Sequence, residues 1–309
     1  MKSSNIGGQA VMEGIMMRHK DKYAIAVRKP DGEIVCKVED YKSVLGGAAI
    51  WKKPIFRGIS SFVDALVVGT KCLMYSAEFF EDEDEQKKEE ADEEQKAKKE
   101  RREKLEMYGI VALSLVLAAG LFMAGPYLIA SLSRNLGASE WLVTVLEAVV
   151  KLALFLAYMF LISRLEDIQR TFMYHGAEHK CINCVEQGLP LTVENVMKSS
   201  RQHRRCGTSF LLLVMLVSIV FHFAFVAVPV MWMRLAGRIL MIPVVAGVAY
   251  EFIRLAGSSD HSLVRFLSRP GLALQKLTTR EPDESMVEVA ITAVEAVFDW
   301  RAYLEETKC

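Results

Sequence analysis

Neither sign of charge is in excess: 38 Lys and Arg are matched by 38 Asp and Glu, a formal net charge of +0. The basic footprint of a nucleic-acid-binding protein is therefore missing, and no nucleic-acid partner is expected. Cysteine is scarce and scattered: six in 309 residues, at Cys36, Cys72, Cys181, Cys184, Cys206 and Cys309. That excludes a disulfide framework and fits reduced thiols on the cytoplasmic side. Nothing near Met1 combines a basic start, an apolar run and a small-residue cleavage site, so the N-terminus is expected to persist. The Gly-punctuated opening from Ile6 to Arg18 has no Gly-Lys-Ser/Thr ending and is not a phosphate loop. Its paired glycines permit close backbone approach to a ligand or to another segment, against the alternative of a tight turn docking the N-terminus on the membrane domain.

What the chain does have is long apolar runs. Hydrophobic residues make up 52% of it and mean hydropathy is positive, both pointing to the bilayer. Four runs, about Tyr108–Leu132, Trp141–Ser163, Thr208–Met233 and Ile239–Leu255, each approach the ~20 residues a crossing requires. Gly125 and Pro126 interrupt the first, Pro229 closes the third and Pro243 sits in the fourth. The links between spans one and two and between three and four are poor in cations (Arg134; Arg234 and Arg238). Residues 164–207 carry Arg164, Arg170, Lys180, Lys198, Arg201, Arg204 and Arg205, and Lys98, Lys99, Arg101, Arg102 and Lys104 precede the first span. The positive-inside rule then predicts a multi-pass inner-membrane protein with both termini and the central loop in the cytoplasm.

The expected fold class is mainly α and integral to the membrane: four transmembrane helices with a small cytoplasmic α+β portion. In residues 1–80 a β-hairpin is predicted from Tyr23–Lys29 and Glu33–Glu39 around Pro30, Asp31 and Gly32. Ile59–Tyr75, apolar but carrying Asp64 and Lys71, reads as an interfacial helix in preference to a fifth crossing. Residues 81–107 form a charged linker, 108–256 the membrane domain with its loop at 164–207, and 257–309 a C-terminal helical segment. In that segment Met286, Val287, Ala290, Ile291, Val294 and Phe298 recur at helical spacing, suited to packing on the N-terminal portion. Within the spans, Glu147 and Lys151 lie one helical turn apart and are expected to neutralise each other. His222 is expected to hydrogen-bond across the bundle.

The central loop concentrates His175, Glu178, His179, Cys181, Cys184, His203 and Cys206. On a helix, His175 and His179 sit one turn apart and can share an ion, with Glu178 alongside as a base. The HxxEH order is the inverted zinc-protease arrangement, which needs a further carboxylate. Glu251, an ionisable group deep in the fourth span, is the expected third ligand, against the alternative of a snorkelling pair with Arg254. A competing reading places a structural zinc between Cys181, Cys184, His203 and Cys206, whose spacings suit four-ligand sites. The bland alternative is a polar loop of hydrogen-bonded histidines and plain thiols.

The runs Gly7–Gly14 through Arg18, Tyr174–Lys180, Arg204–Phe210 and Pro270–Pro282 together give the chain a resemblance, over nearly its whole length, to the YqhQ-like family of bacterial inner-membrane proteins. Members are often labelled predicted metal-dependent enzymes. The resemblance implies a membrane location and an enzymatic title inferred from the histidine motif, and it implies no substrate. The favoured reading is a hydrolase using a divalent transition metal, zinc first, with His175 and His179 as ligands, Glu178 as general base and peptide or lipid-linked substrates beside the bilayer. Its rival is a non-enzymatic factor that assembles, inserts or regulates membrane proteins around a structural metal. A transporter ranks third, because the spans hold few polar residues.

Overall fold

A computed structural model describes residues 3–46, 48–80, 93–226, 228, 230–259 and 261–307. The acidic start of the charged linker (81–92), Pro229 and Cys309 lie outside the described residues, as do the side chains of Lys98, Lys99 and Lys104. In chain order the strands are β1 (Gly7–Val11), β2 (Gly14–His19), β3 (Lys22–Arg28) and β4 (Ile34–Asp40). The helices are α1 (Phe56–Ala77), α2 (Glu93–Ala119), α3 (Gly125–Ser131), α4 (Glu140–Ile162), α5 (Glu166–Glu186), α6 (Val193–Lys198), α7 (Gly207–Phe223), α8 (Met231–Leu240), α9 (Ile242–Ser258), α10 (Ser262–Thr278), α11 (Glu284–Val297) and α12 (Trp300–Thr307).

Two compact units emerge, and neither follows chain order. The first joins Met1–Phe80, Met159–Ser218 and Ile242–Cys309. Its centre is an antiparallel sheet in the order β1-β2-β3-β4. The expected hairpin is β3 and β4, paired from Lys22 with Asp40 to Arg28 with Ile34. The Gly-rich opening, expected as a turn or as a close approach to a ligand or another segment, forms a second hairpin: Val11 pairs with Gly14 across a two-residue loop in which Glu13 takes a φ of 47°.

Because side chains alternate along a strand, the sheet has two apolar faces and needs two covers. Ile15, Met17 and Ala26 face a core built with Tyr174, Ala177, Ile182 and Val185 of α5 and Met286, Val287, Ala290 and Val294 of α11. Met16, Tyr23, Ile25 and Val27 face the other way, against Cys72, Val68 and Tyr75 of α1. Asp283 starts α11 by accepting a hydrogen bond from the Met286 backbone N–H, the N-cap geometry that satisfies a free donor of the first turn.

The second unit comprises Glu81–Tyr158 and Ile219–Met241. Its apolar exterior surrounds buried charge. Arg238 of α8 takes both carboxylate oxygens of Glu147 on α4, the second at 2.9 Å. Lys151 Nζ lies 3.4 Å from His222 Nε2. A guanidinium from a neighbouring helix matches a carboxylate in two places, whereas an ammonium one turn along the same helix offers a point charge. Glu147 therefore serves Arg238 as well as its neighbour Lys151.

Among the described residues, three helices are long and apolar enough to cross a membrane: Phe56–Phe80, Tyr108–Leu136 and Glu140–Ile162. A fourth is reached if the bent pair Trp232–Leu240 and Ile242–Ser258, 41° apart, forms one span. Three to four candidates agree with the four crossings expected. The Gly207–Phe223 helix is apolar but has 17 residues, at the lower limit of a crossing. The segment read as interfacial, α1, is among the candidates. Its polar groups are spoken for by the sheet side: Asp64 accepts from the Tyr41 hydroxyl at 2.5 Å and the Val44 N–H at 2.7 Å, and Lys71 pairs with Glu39. Leu66, Val67, Leu73 and Met74 remain exposed on α1. Apolar surface of this extent requires contact with the lipid bilayer.

Candidate metal centre

Helix α5 starts four residues after α4 ends, with Glu166 and Asp167 in its first turn, where carboxylates complement the helix dipole. At ~100° per residue, His175 and His179 share one face and Glu178 lies beside them. The imidazole centroids are 4.4 Å apart. His175 Nδ1 is 2.8 Å from the Thr278 carbonyl oxygen, and His179 Nδ1 is 2.7 Å from that of Arg201. A carbonyl only accepts, so each Nδ1 carries a proton and each Nε2 is the atom left to coordinate an ion once it gives up any proton of its own. Hydrogen bonds of this kind fix the tautomer and ring orientation of metal-ligating histidines.

Both rings are thereby turned toward Cys206, the residue before α7. Its sulfur lies 3.3 Å from His175 Nε2 and takes hydrogen bonds from the Thr208 backbone N–H at 3.4 Å and, at 3.0 Å, the Thr208 hydroxyl. The ligand atoms of His175, His179 and Cys206 all fall within 4.8 Å of one another. Burial opposes charge on Cys206, but the two imidazoles outweigh it and hold the thiol well below its ordinary range. Burial likewise works against a charged His175, yet the Cys206 sulfur pushes it up to about 9. Two nitrogens and one thiolate fit a borderline-soft divalent ion. The group could hold a metal.

Glu178 is 5% exposed. Burial raises its carboxyl pKa, opposed by His175 and His179, and the Gly8 N–H hydrogen-bonds it. Here glycine is needed for close approach: a Cβ on Gly8 would lie 2.8 Å from Glu178 Cγ. Gly176 does the same on the opposite side of α5. A Cβ there would run into the Arg280 carbonyl oxygen, so only glycine lets the chain after α10 lie against α5, where the Arg280 N–H donates to the Phe172 carbonyl at 2.9 Å.

The remaining expected site residues are placed elsewhere. Cys181 and Cys184 project roughly opposite to the histidines, at ~100° per residue, and are buried in the core shared by α5, α11 and the sheet. Cys184 Sγ reaches the Pro190 carbonyl oxygen at 3.4 Å, and desolvation raises both thiol pKa values. The His203 ring lies 5.8 Å from that of His179, but its Nε2 faces Glu186 at 3.4 Å. Glu251 is gripped by Arg57, Nε to Oε1 at 2.6 Å, and accepts from the Ile55 N–H at 3.3 Å. Spacing grouped Cys206 with Cys181, Cys184 and His203, whereas the fold groups it with the HxxEH histidines. The orienting carbonyls of Thr278 and Arg201 left no side-chain signal to read.

Glu186 ties the opening of the chain to this region, accepting from the Ser4 N–H at 2.7 Å and the Ser4 hydroxyl at 2.8 Å and pairing with Arg205. Burial opposes its charge, but His203 and Arg205 outweigh it and hold its pKa at about 2, below the ordinary 4.5. A depressed folded-state pKa contributes stability that is complete above about 4.5 and lost as pH falls toward about 2. Acidification through that window is therefore expected to release the Ser3–Ile6 segment. Amide exchange there should accelerate before exchange in β2 and β3 does, and it should be fast at all pH values in Glu186→Gln.

The fold and this site together define a class: a multi-pass membrane protein with a small sheet and a buried group of two histidines and one cysteine. The family described as protein of unknown function (DUF1385) matches residues 53–300, and the chain belongs to it. The "Uncharacterized protein YqhQ" of Bacillus subtilis (strain 168) is 37% identical over 306 residues, covering 98% of this chain and 95% of that protein. No solved structure matches the chain.

Proposed function

We propose that this is a membrane-embedded, metal-dependent hydrolase whose centre is His175, His179 and Cys206, with Glu178 as general base and zinc as the ion. One observation carries the reading: both histidines spend Nδ1 on backbone carbonyls, leaving both Nε2 atoms to converge on the Cys206 sulfur. Three protein ligands leave a fourth position, the coordination number of catalytic zinc sites. A bound zinc would supply Lewis acidity and lower the pKa of water toward neutrality. Glu178, desolvated and hydrogen-bonded by Gly8, would serve as the base for such a water, and its raised pKa would suit a base working near neutral pH. The charge asymmetry of the loops supports a cytoplasmic site, and α4 and α7, which flank it in sequence, support a substrate beside the bilayer.

Elemental analysis of detergent-purified, unchelated protein tests this. About one equivalent of metal is expected in the wild type and almost none in His175→Ala/His179→Ala. Cys206→Ser is expected to weaken metal binding by at least about 100-fold, since a hard hydroxyl replaces a thiolate, read by competition with a chromogenic chelator. Protein that purifies metal-free and fails to take up zinc overturns the proposal. Burial of His179 and Cys206, 1% and 3% exposed, favours one rival, a metal that only stiffens the loop of a non-enzymatic assembly factor.

A further inference from the structure

A groove of about 580 Å³ lies next to the metal centre, lined by Phe160, Arg164, Arg201, Lys276, Arg280 and Glu281 among others. Four cations face one carboxylate, and that carboxylate is already shared: Glu281 pairs with the buried Lys180 at 2.9 Å and approaches Arg201 at 3.6 Å. Arg164 stacks over the Phe160 ring at 4.6 Å, and Arg280 Nη2 reaches only the Ser163 carbonyl oxygen, at 3.3 Å. Among the described residues, Arg164, Lys276 and Arg280 have no carboxylate partner. By contrast, Arg57 pairs with Glu251, Arg170 with Glu13, Arg205 with Glu186 and Arg28 with Glu288. Uncompensated cations converging on a concave surface call for an anion, and guanidinium forks fit phosphate oxygens in particular.

Two further features specify the anion. Phe160, exposed, and Arg164 stand where α4, a candidate span, ends. The opposite wall belongs to α10, which exposes Leu263, Phe266 and Leu267 beside Arg265 and Arg269, the composition of a helix lying in a membrane interface. The groove thus opens where apolar surface gives way to cationic surface. Its own wall also supplies both carbonyls that orient the imidazoles: Arg201 holds His179, and Thr278, flanked by Leu277 and Thr279 of the lining, holds His175.

We infer that this groove seats the phosphate of an anionic membrane lipid, presenting that lipid as substrate to the neighbouring centre. The substrate role rests on the hydrolase reading, but the binding does not. Full-length protein in mild detergent, titrated with phosphatidic acid or phosphatidylcholine and read as bound lipid by native mass spectrometry, tests it. Phosphatidic acid is expected to bind at least about tenfold more tightly. Arg164→Gln/Lys276→Gln, which removes two cations without breaking an ion pair, is expected to lose that preference. Arg265→Gln/Arg269→Gln, which removes equal charge from the outer face of α10, is expected to keep it.

Equal binding of the two lipids by the wild type, or equal loss in the two double variants, overturns the inference and leaves a diffuse cationic face. Displacement by glycerol 3-phosphate at concentrations matching the lipid overturns the lipid source in favour of a soluble phosphate. The outcomes also separate the two claims. A phosphate preference that persists in metal-free protein upholds the groove while the hydrolase reading falls. Stoichiometric metal without any phosphate preference does the reverse.

Discussion

Replacing Glu178 with glutamine is expected to leave metal content unchanged while lowering turnover by roughly 10²–10⁴-fold, the usual contribution of a positioned general base. The substitution is nearly isosteric, so the contact with Gly8 survives and the amide oxygen still accepts the Gly8 N–H. Only the ability to take a proton is lost. Glu178 is no ligand in the proposed centre, so chelator competition should give wild-type affinity. Complementation of a strain lacking the gene provides the functional readout. Full rescue by Glu178→Gln, with metal still bound, would move the protein to the non-enzymatic rival, in which the ion holds α5, the 201–206 segment and α7 together and no proton needs to move.

Gly176→Ala is expected to remove the metal without touching a ligand. The added methyl collides with the Arg280 carbonyl oxygen, and Pro282 Cδ stands 3.5 Å away. Backbone atoms cannot swing aside as a side chain would, so the segment after α10 has to lift. Overpacking of this kind typically costs about 1–3 kcal/mol. The lift also carries away Thr278, whose carbonyl sets the His175 tautomer and ring angle, and loss of an outer-shell partner of this kind typically weakens metal binding 10–100-fold. Gly7→Ala is the matched control, because nothing lies within 4 Å of where its Cβ would be. Elemental analysis and thermal unfolding of the two variants should diverge, and equal metal content would remove the proposed role of the Gly176 contact.

The membrane class was legible because apolar run length is a one-dimensional property, and the β3–β4 hairpin because Pro30, Asp31 and Gly32 are turn chemistry. The β1–β2 hairpin was harder to see. Its glycines serve close approach, Gly8 to Glu178, and a Gly-rich stretch reads equally as a turn. The apolar character of α1 was masked in a similar way: Asp64 and Lys71 mark it as interfacial when read alone, and only the sheet explains where those charges go. In the site, the i and i+4 spacing of His175 and His179 was readable from helix geometry. The CxxC spacing of Cys181 and Cys184 misled, because on a continuous helix it turns both thiols away from the histidines. Glu251 drew attention as a deep carboxylate, and its tie to Arg57 joins residues far apart in sequence. The same holds for Cys206, whose neighbours are decided by how the chain returns from α7.

The sheet that opens the chain has one face covered by α1 and the other closed by α11, with α5 between them in sequence. A ribosome releases β2 and β3 some 260 residues before it releases Met286 and Val294, and contacts of such long separation form late. The apolar helices enter the bilayer while one side of the sheet is still bare. Thr278, which orients His175, also emerges near the end of synthesis. Nascent protein therefore resides in the membrane before the ring of His175 has the carbonyl that orients it.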